Sequence, residues 1–134
     1  MVTRGDAQQV VLPFRHPPMV KVKTRRKGVG CMSDKLKMAR QFIQALPHSM
    51  ALGMELRELG DGSAEITMPY DDKLVGDPKT GVISGGAVSA LMDTCCGAAV
   101  MSHPSNPSAT ATMDLRIEYL RAATPGQTIT TRAT

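Results

Sequence analysis

Residues 81–101 read GVISGGAVSALMDTCCGAAVM, and Asp93 carries the only charge among them. So apolar a run, rich in small residues, predicts a buried helix. Ser84 is a suitable N-cap, and Gly85-Gly86 would let a ligand approach the backbone closely. Pro104 disfavours a helical residue before it, so the helix should end by about Ser102, a rod about 25 Å long. A lone carboxylate in such surroundings is costly unless it is paired or used. A helix N-terminus that can receive an anion or oxyanion, with an acid two turns further in, has the layout of an enzyme site. Ala90 and Gly97 lie about one turn either side of Asp93, and their small size leaves room for a substrate arm. The same run is long enough to span a bilayer. Asp93 near its middle, its glycines and the lack of a basic anchor at either edge favour a helix inside a soluble domain.

Upstream, Ala39, Phe42, Ile43 and Leu46 repeat at helical spacing, which predicts a helix that starts with Ser33 or Asp34 as N-cap and stops before Pro47. Leu52, Met54 and Leu56 alternate, as do Ala64, Ile66 and Met68, and Gly60-Asp61-Gly62 lies between them as a hairpin turn that precedes a stop at Pro69. Residues 70–83 read as a polar loop. Downstream, Ala111, Met113, Leu115, Ile117 and Tyr119 alternate with Thr110, Thr112, Asp114, Arg116 and Glu118, the pattern of a half-buried strand. Thr124-Pro125-Gly126 turns the chain into a Thr-rich strand, 128–134. A helix apolar on nearly all sides needs cover all round. An antiparallel sheet can wrap one side of it, so the expected class is α+β.

The formal charge of +4 is unevenly spread. Residues 1–31 hold seven Lys or Arg against Asp6, so this segment carries the basic excess and residues 32–134 are mildly acidic. The segment reads as a basic tail, disordered or placed ahead of a start at Met32; a targeting presequence and an anion-binding arm are the other readings. No secretory signal stands out. With ten Met and only Phe14, Phe42, Tyr70 and Tyr119 as aromatics, base stacking is not the main task. Cys31, Cys95 and Cys96 form neither a disulfide framework nor a zinc-ligand spacing, and His16, His48 and His103 are scattered. Cysteines at 95 and 96 are expected as small core residues, in a reducing, cytoplasmic setting. No metal or redox cofactor is called for.

The run G-x-x-S-G-G-x-x-x-x-L-x-D from Gly81 to Asp93 resembles the signature of hotdog-fold acyl-CoA thioesterases, most closely the phenylacetyl-CoA-type branch. LGDGSAEITMPY, LVGDPKTG and TATMDLRIEYLRAATPG, from Thr110 to Gly126, resemble further parts of that family, so the likeness runs over about residues 36–134. It implies a long helix wrapped by a curved antiparallel sheet, in a homodimer or homotetramer that acts on acyl-CoA. It also implies Asp93 as general base or nucleophile and a backbone N–H at Gly85 or Gly86 as oxyanion donor. Thr112 would be the hydroxyl, from the partner subunit, that places the water. Ser84, Gly97 and Arg116 are the substrate-binding candidates, Arg116 toward coenzyme A phosphates or else as a solvated strand residue. Two departures stand out: Ser84 occupies a position where the family carries His, and the family's sheet has further strands beyond the point where Thr134 ends the chain. A non-catalytic acyl-CoA-binding or structural hotdog protein is therefore the alternative. A hotdog hydratase would pair the acid with a His, and residues 81–101 contain none.

Overall fold

The alternation of Ala64, Ile66 and Met68 places all three on one face of a strand, and that face is the floor of the core. The structure is a computed structural model that describes residues 29–105 and 110–134. In chain order the elements are α1 (Val29–Ala45), α2 (Pro47–Ala51), β1 (Glu55–Gly60), β2 (Ser63–Met68), a 3-10 turn (Asp72–Leu74), β3 (Val75–Asp77), β4 (Val82–Ile83), α3 (Gly85–Ser102) and β5 (Ile129–Ala133). β1, β2 and β5 form an antiparallel sheet in that order, and β3 pairs with β4. The 70–83 loop is thus partly ordered by a small hairpin. The basic-tail reading of residues 1–31 lies, up to residue 28, outside the described residues.

The β1–β2 hairpin turns at Asp61-Gly62, where Gly62 takes a φ of +79° that only glycine adopts freely. A bulge at Arg57 shifts the register between Leu56 and Glu58. It frees two carbonyls, and Arg40 of α1 takes both, Nε on Leu56 at 2.9 Å and Nη2 on Arg57 at 3.2 Å. On the other side of β2, Glu65 faces Arg132 of β5 in register and the two side chains form an ion pair.

α3 lays Ala87, Val88, Leu91, Met92, Cys95 and Ala99 onto β2 and β5. Its buried residues recur at three- and four-residue intervals, so one side of the helix is sealed and the other is not. The cover expected all round α3 is present on one side only among the described residues.

Three expectations need correction. The α1 backbone is already helical at Val29, so Ser33 and Asp34 lie within the helix rather than capping it. Serine and aspartate cost a helix only a few tenths of a kcal/mol each, so they do not by themselves mark its start. Phe42 and Leu46, expected on the buried face, are 50% and 36% exposed, while Ile43 is buried with Leu36 and Ala39 packed beside it. The Arg40 bonds to the bulge fix which side of α1 faces β1, and that side excludes Phe42. Finally, residues 110–120 form no strand pairing among the described residues. Their alternation specifies an apolar side, but a strand also needs a neighbour for its backbone groups. Ile117 is half-buried against the core, whereas Met113 and Leu120 are almost fully exposed.

These placements separate two substitutions of similar chemistry. Leu91→Ala should cost about 2–5 kcal/mol as a core cavity, whereas Phe42→Ala should stay within about 1 kcal/mol. Urea unfolding midpoints at constant m-value measure both.

Candidate active site

α3 begins where the β4 end meets the β3 loop. The Ser84 N–H donates to the Leu74 carbonyl at 2.8 Å, and the Ser84 carbonyl accepts from the N–H groups of Ala87 and Val88. Gly76 presses on this junction, since a Cβ there would stand 2.8 Å from the Ser84 Cα. The Ser84 side chain makes no cap hydrogen bond, so the serine expected as a side-chain N-cap caps through its backbone alone. Gly85 and Gly86 follow as the first two helical residues, both exposed. Their N–H groups have no hydrogen-bond partner among the described residues and stand at the positive end of an 18-residue helix.

Gly86, Ala90, Asp93 and Gly97 share the side of α3 opposite its buried residues. Asp93 is half-buried there, and the Thr112 hydroxyl donates to its Oδ1 at 2.5 Å. The remaining carboxylate oxygen has no hydrogen-bond partner among the described residues. A Cβ at Gly97 would meet nothing within 4 Å, so the surface beyond the acid is open. Asp93 and Thr112 are therefore brought together within one chain, where the resemblance implied a hydroxyl from a partner. The glycine N–H groups are not brought to Asp93: eight residues of helix separate Gly85 from it, about 12 Å along the axis. Arg116 forms an exposed ion pair with Glu118 at 2.8 Å and makes no hydrogen bond to the glycines or the acid.

A cleft of about 300 Å³ opens beside the first turn of α3, lined by Val82, Ile83, Gly85, Val88 and Tyr119 and, at its far side, residues 121–123. The Tyr119 hydroxyl donates to the Gly85 carbonyl at 2.9 Å and lies 2.7 Å from Ser89 Oγ, which itself donates to the same carbonyl at 3.0 Å. Neither Tyr119 nor Ser89 stood out in the sequence. Tyr119 read as one apolar member of an alternating strand, and Ser89 as a diluting residue in an apolar helix. The only available signal was the phenolic hydroxyl itself, a polar tip that needs a partner. Among the described residues no three His, Cys, Asp or Glu side chains converge as a metal cage would require.

Residues 80–134 match the model of the thioesterase superfamily. A Halobacterium salinarum protein with a provisional esterase name is 39% identical over 75 residues, covering 54% of this chain and 50% of its own. The medium/long-chain acyl-CoA thioesterase YigI of Escherichia coli is 26% identical over 97 residues, covering 63% of each. The PaaI protein from the E. coli phenylacetic acid degradation operon superimposes with a TM-score of 0.64 at 24% identity, over 75% of this chain and 70% of that one. The chain has the hotdog fold, and its residues 80–134 carry the likeness to the thioesterase superfamily. It spans 50% and 63% of the lengths of the two curated relatives.

Within this hotdog fold the cysteines stand apart from the open side of α3. Cys95 is fully buried, with Sγ donating to the carbonyls of Ala64 and Thr131, each at 3.4 Å. Burial, reinforced by the neighbouring Cys96, pushes its thiol up from 9.0 to about 11. Burial and the nearby Asp93 charge raise Cys96 as well. Both thiols are thereby held as poor nucleophiles.

Since the folded chain holds the Cys95 proton more tightly than the unfolded chain does, this contribution to stability is complete below pH 9 and disappears as pH rises through about 11. Unfolding midpoints measured from pH 8 to 11 should therefore decline less in Cys95→Ala than in the parent. Iodoacetamide at pH 8 should label Cys95 slowly until the chain is unfolded.

Proposed function

We propose that this protein hydrolyses acyl-CoA thioesters to free acid and coenzyme A, in the manner of the phenylacetyl-CoA-type branch. The observation that carries the reading is that one helix bears unpartnered N–H groups at Gly85 and Gly86 and, about 12 Å along its axis, a hydroxyl-bound carboxylate at Asp93 on its open side. The N–H groups would take the negative charge that develops on the thioester oxygen, an interaction worth about 10²–10³ in rate per donor. Asp93 would act as general base on water or as nucleophile at the carbonyl, with Thr112 holding the carboxylate by one oxygen and leaving the other to work. The apolar cleft beside Tyr119 suits an acyl or aryl group. Gly97 leaves space past the acid, and Arg116 is the candidate for coenzyme A phosphates.

A single carbonyl cannot lie against both an N–H and a carboxylate that are about 12 Å apart along one helix. A second copy with its helix antiparallel would set the glycines of one subunit opposite Asp93 of the other. We therefore place the active site between two subunits of a homodimer or homotetramer. The exposed Met113, Leu115 and Leu120 supply apolar surface that a second copy would cover. The free thiols at 95 and 96 fit a cytoplasmic setting.

Thiol release from a panel of acyl-CoAs tests the reading. Asp93→Asn should lower kcat by about 10²–10⁴. Gly85→Pro removes one N–H at a helix position that tolerates proline and should lower kcat by about 10²–10³ while the helix survives. Parent-like rates in both variants would refute the assignment. The alternative, an acyl-CoA binder without turnover, is favoured by one feature: Ser84 stands where the family carries His, and its hydroxyl makes no cap hydrogen bond. On that alternative the parent binds acyl-CoA saturably without releasing thiol, and Ser84→His raises turnover.

A further inference from the structure

Ser89 Oγ and the Tyr119 hydroxyl meet at the Gly85 carbonyl, so three oxygens within 3.0 Å of one another share two hydroxyl protons. In every arrangement that keeps both protons among these three oxygens, at least one hydroxyl donates to the Gly85 oxygen. That oxygen belongs to the peptide group whose N–H is the Gly86 N–H. A hydrogen bond to the oxygen of an amide polarises the whole group and strengthens its N–H as a donor. It also fixes the plane in which that N–H points. Glycine at both positions leaves the backbone intrinsically freer there, so hydroxyl bonds to the Gly85 carbonyl add restraint to that of the helix itself. Tyr119 supplies it from 34 residues away in sequence. The ring stands beside Gly85, where a Cβ would meet the Tyr119 oxygen at 3.5 Å and Cζ at 3.7 Å. The same ring walls the cleft.

We infer that Tyr119, aided by Ser89, is a positioning residue that orients and polarises the Gly85–Gly86 peptide for the oxyanion. This assignment rests on the acyl-CoA hydrolysis proposed above, and it makes Tyr119 act through the peptide rather than on the substrate. Two consequences separate it from a role in packing. Tyr119→Phe keeps the ring and the cleft wall and removes only the hydroxyl, so it should change kcat rather than KM. The effect should also be visible at the peptide itself, whether or not substrate is present.

The test compares the parent, Tyr119→Phe, Ser89→Ala, the double variant and Tyr70→Phe. Tyr70→Phe is a matched control that deletes an equivalent hydroxyl-to-carbonyl bond, 3.0 Å long, at Gly81. Expected for Tyr119→Phe are a kcat lower by about three- to tenfold, a KM within about twofold, and an unchanged pH profile. The carbonyl-carbon resonance of Gly85 and the amide-nitrogen resonance of Gly86 should move in Tyr119→Phe and Ser89→Ala but not in Tyr70→Phe. The two losses should be less than additive in the double variant, because the hydroxyls serve one acceptor. Unmoved Gly85 and Gly86 resonances overturn the inference whatever the rates are, as does a rise in KM with parent kcat. If the parent releases no thiol, hydrolysis itself fails, and the resonances alone decide whether Tyr119 holds the peptide.

Discussion

The packing of one side of α3 on β2 and β5 is the constraint from which the rest follows. Leu91 and Cys95 on the helix and Ile66 and Met68 on β2 are all sealed completely in the same core. Once that side of the helix is committed, the geometry of the α-helix decides what the other side carries. Gly86, Ala90, Asp93 and Gly97 must point away from the sheet, because they lie half a rotation from the buried residues. The acid is therefore placed on the open side by hydrophobic burial elsewhere on the same helix. The sealed side explains the thiols in turn: Cys95 is fully sheltered, and desolvation keeps it protonated and inert.

The helix start is held by contacts that do not depend on a side-chain cap. The Ser84 backbone bonds back to Leu74 on one side and forward into the helix on the other. Gly76 allows the close approach. The first turn is then gripped from outside by Tyr119, whose own segment has no strand partner among the described residues. This segment, 110–120, joins the helix at two points: Thr112 on the acid and Tyr119 on the glycine turn. It spans both halves of the candidate chemistry while contributing little to the core beyond Ile117.

Chemistry and oligomer state are linked through distance. The unpartnered N–H groups and the Asp93 carboxylate lie on one helix, and a rise of about 12 Å keeps them apart within one chain. The catalytic reading and the homo-oligomer reading therefore stand together, because two copies of this helix would complete what one cannot.

Much of this was legible in the residues. The hairpin with its turn at Asp61-Gly62, the helix boundaries near Ser84 and Ser102, and the isolation of Asp93 follow from periodicity, turn chemistry and the cost of a lone charge, all local properties. The exposure of Phe42 was not legible, because Arg40 finds its carbonyls at a bulge that only the folded hairpin creates. The unpaired state of 110–120 was not legible either, since alternation records which side chains are apolar and not whether a neighbouring strand exists. Likewise the sequence by itself supplied the acid and the glycines, and tertiary structure alone set Thr112 on the acid and Tyr119 on the Gly85 carbonyl. The reason is the same in each case: a helix encodes its own faces through its repeat, whereas a hydroxyl from a distant segment acquires a role only when packing brings it within hydrogen-bond range.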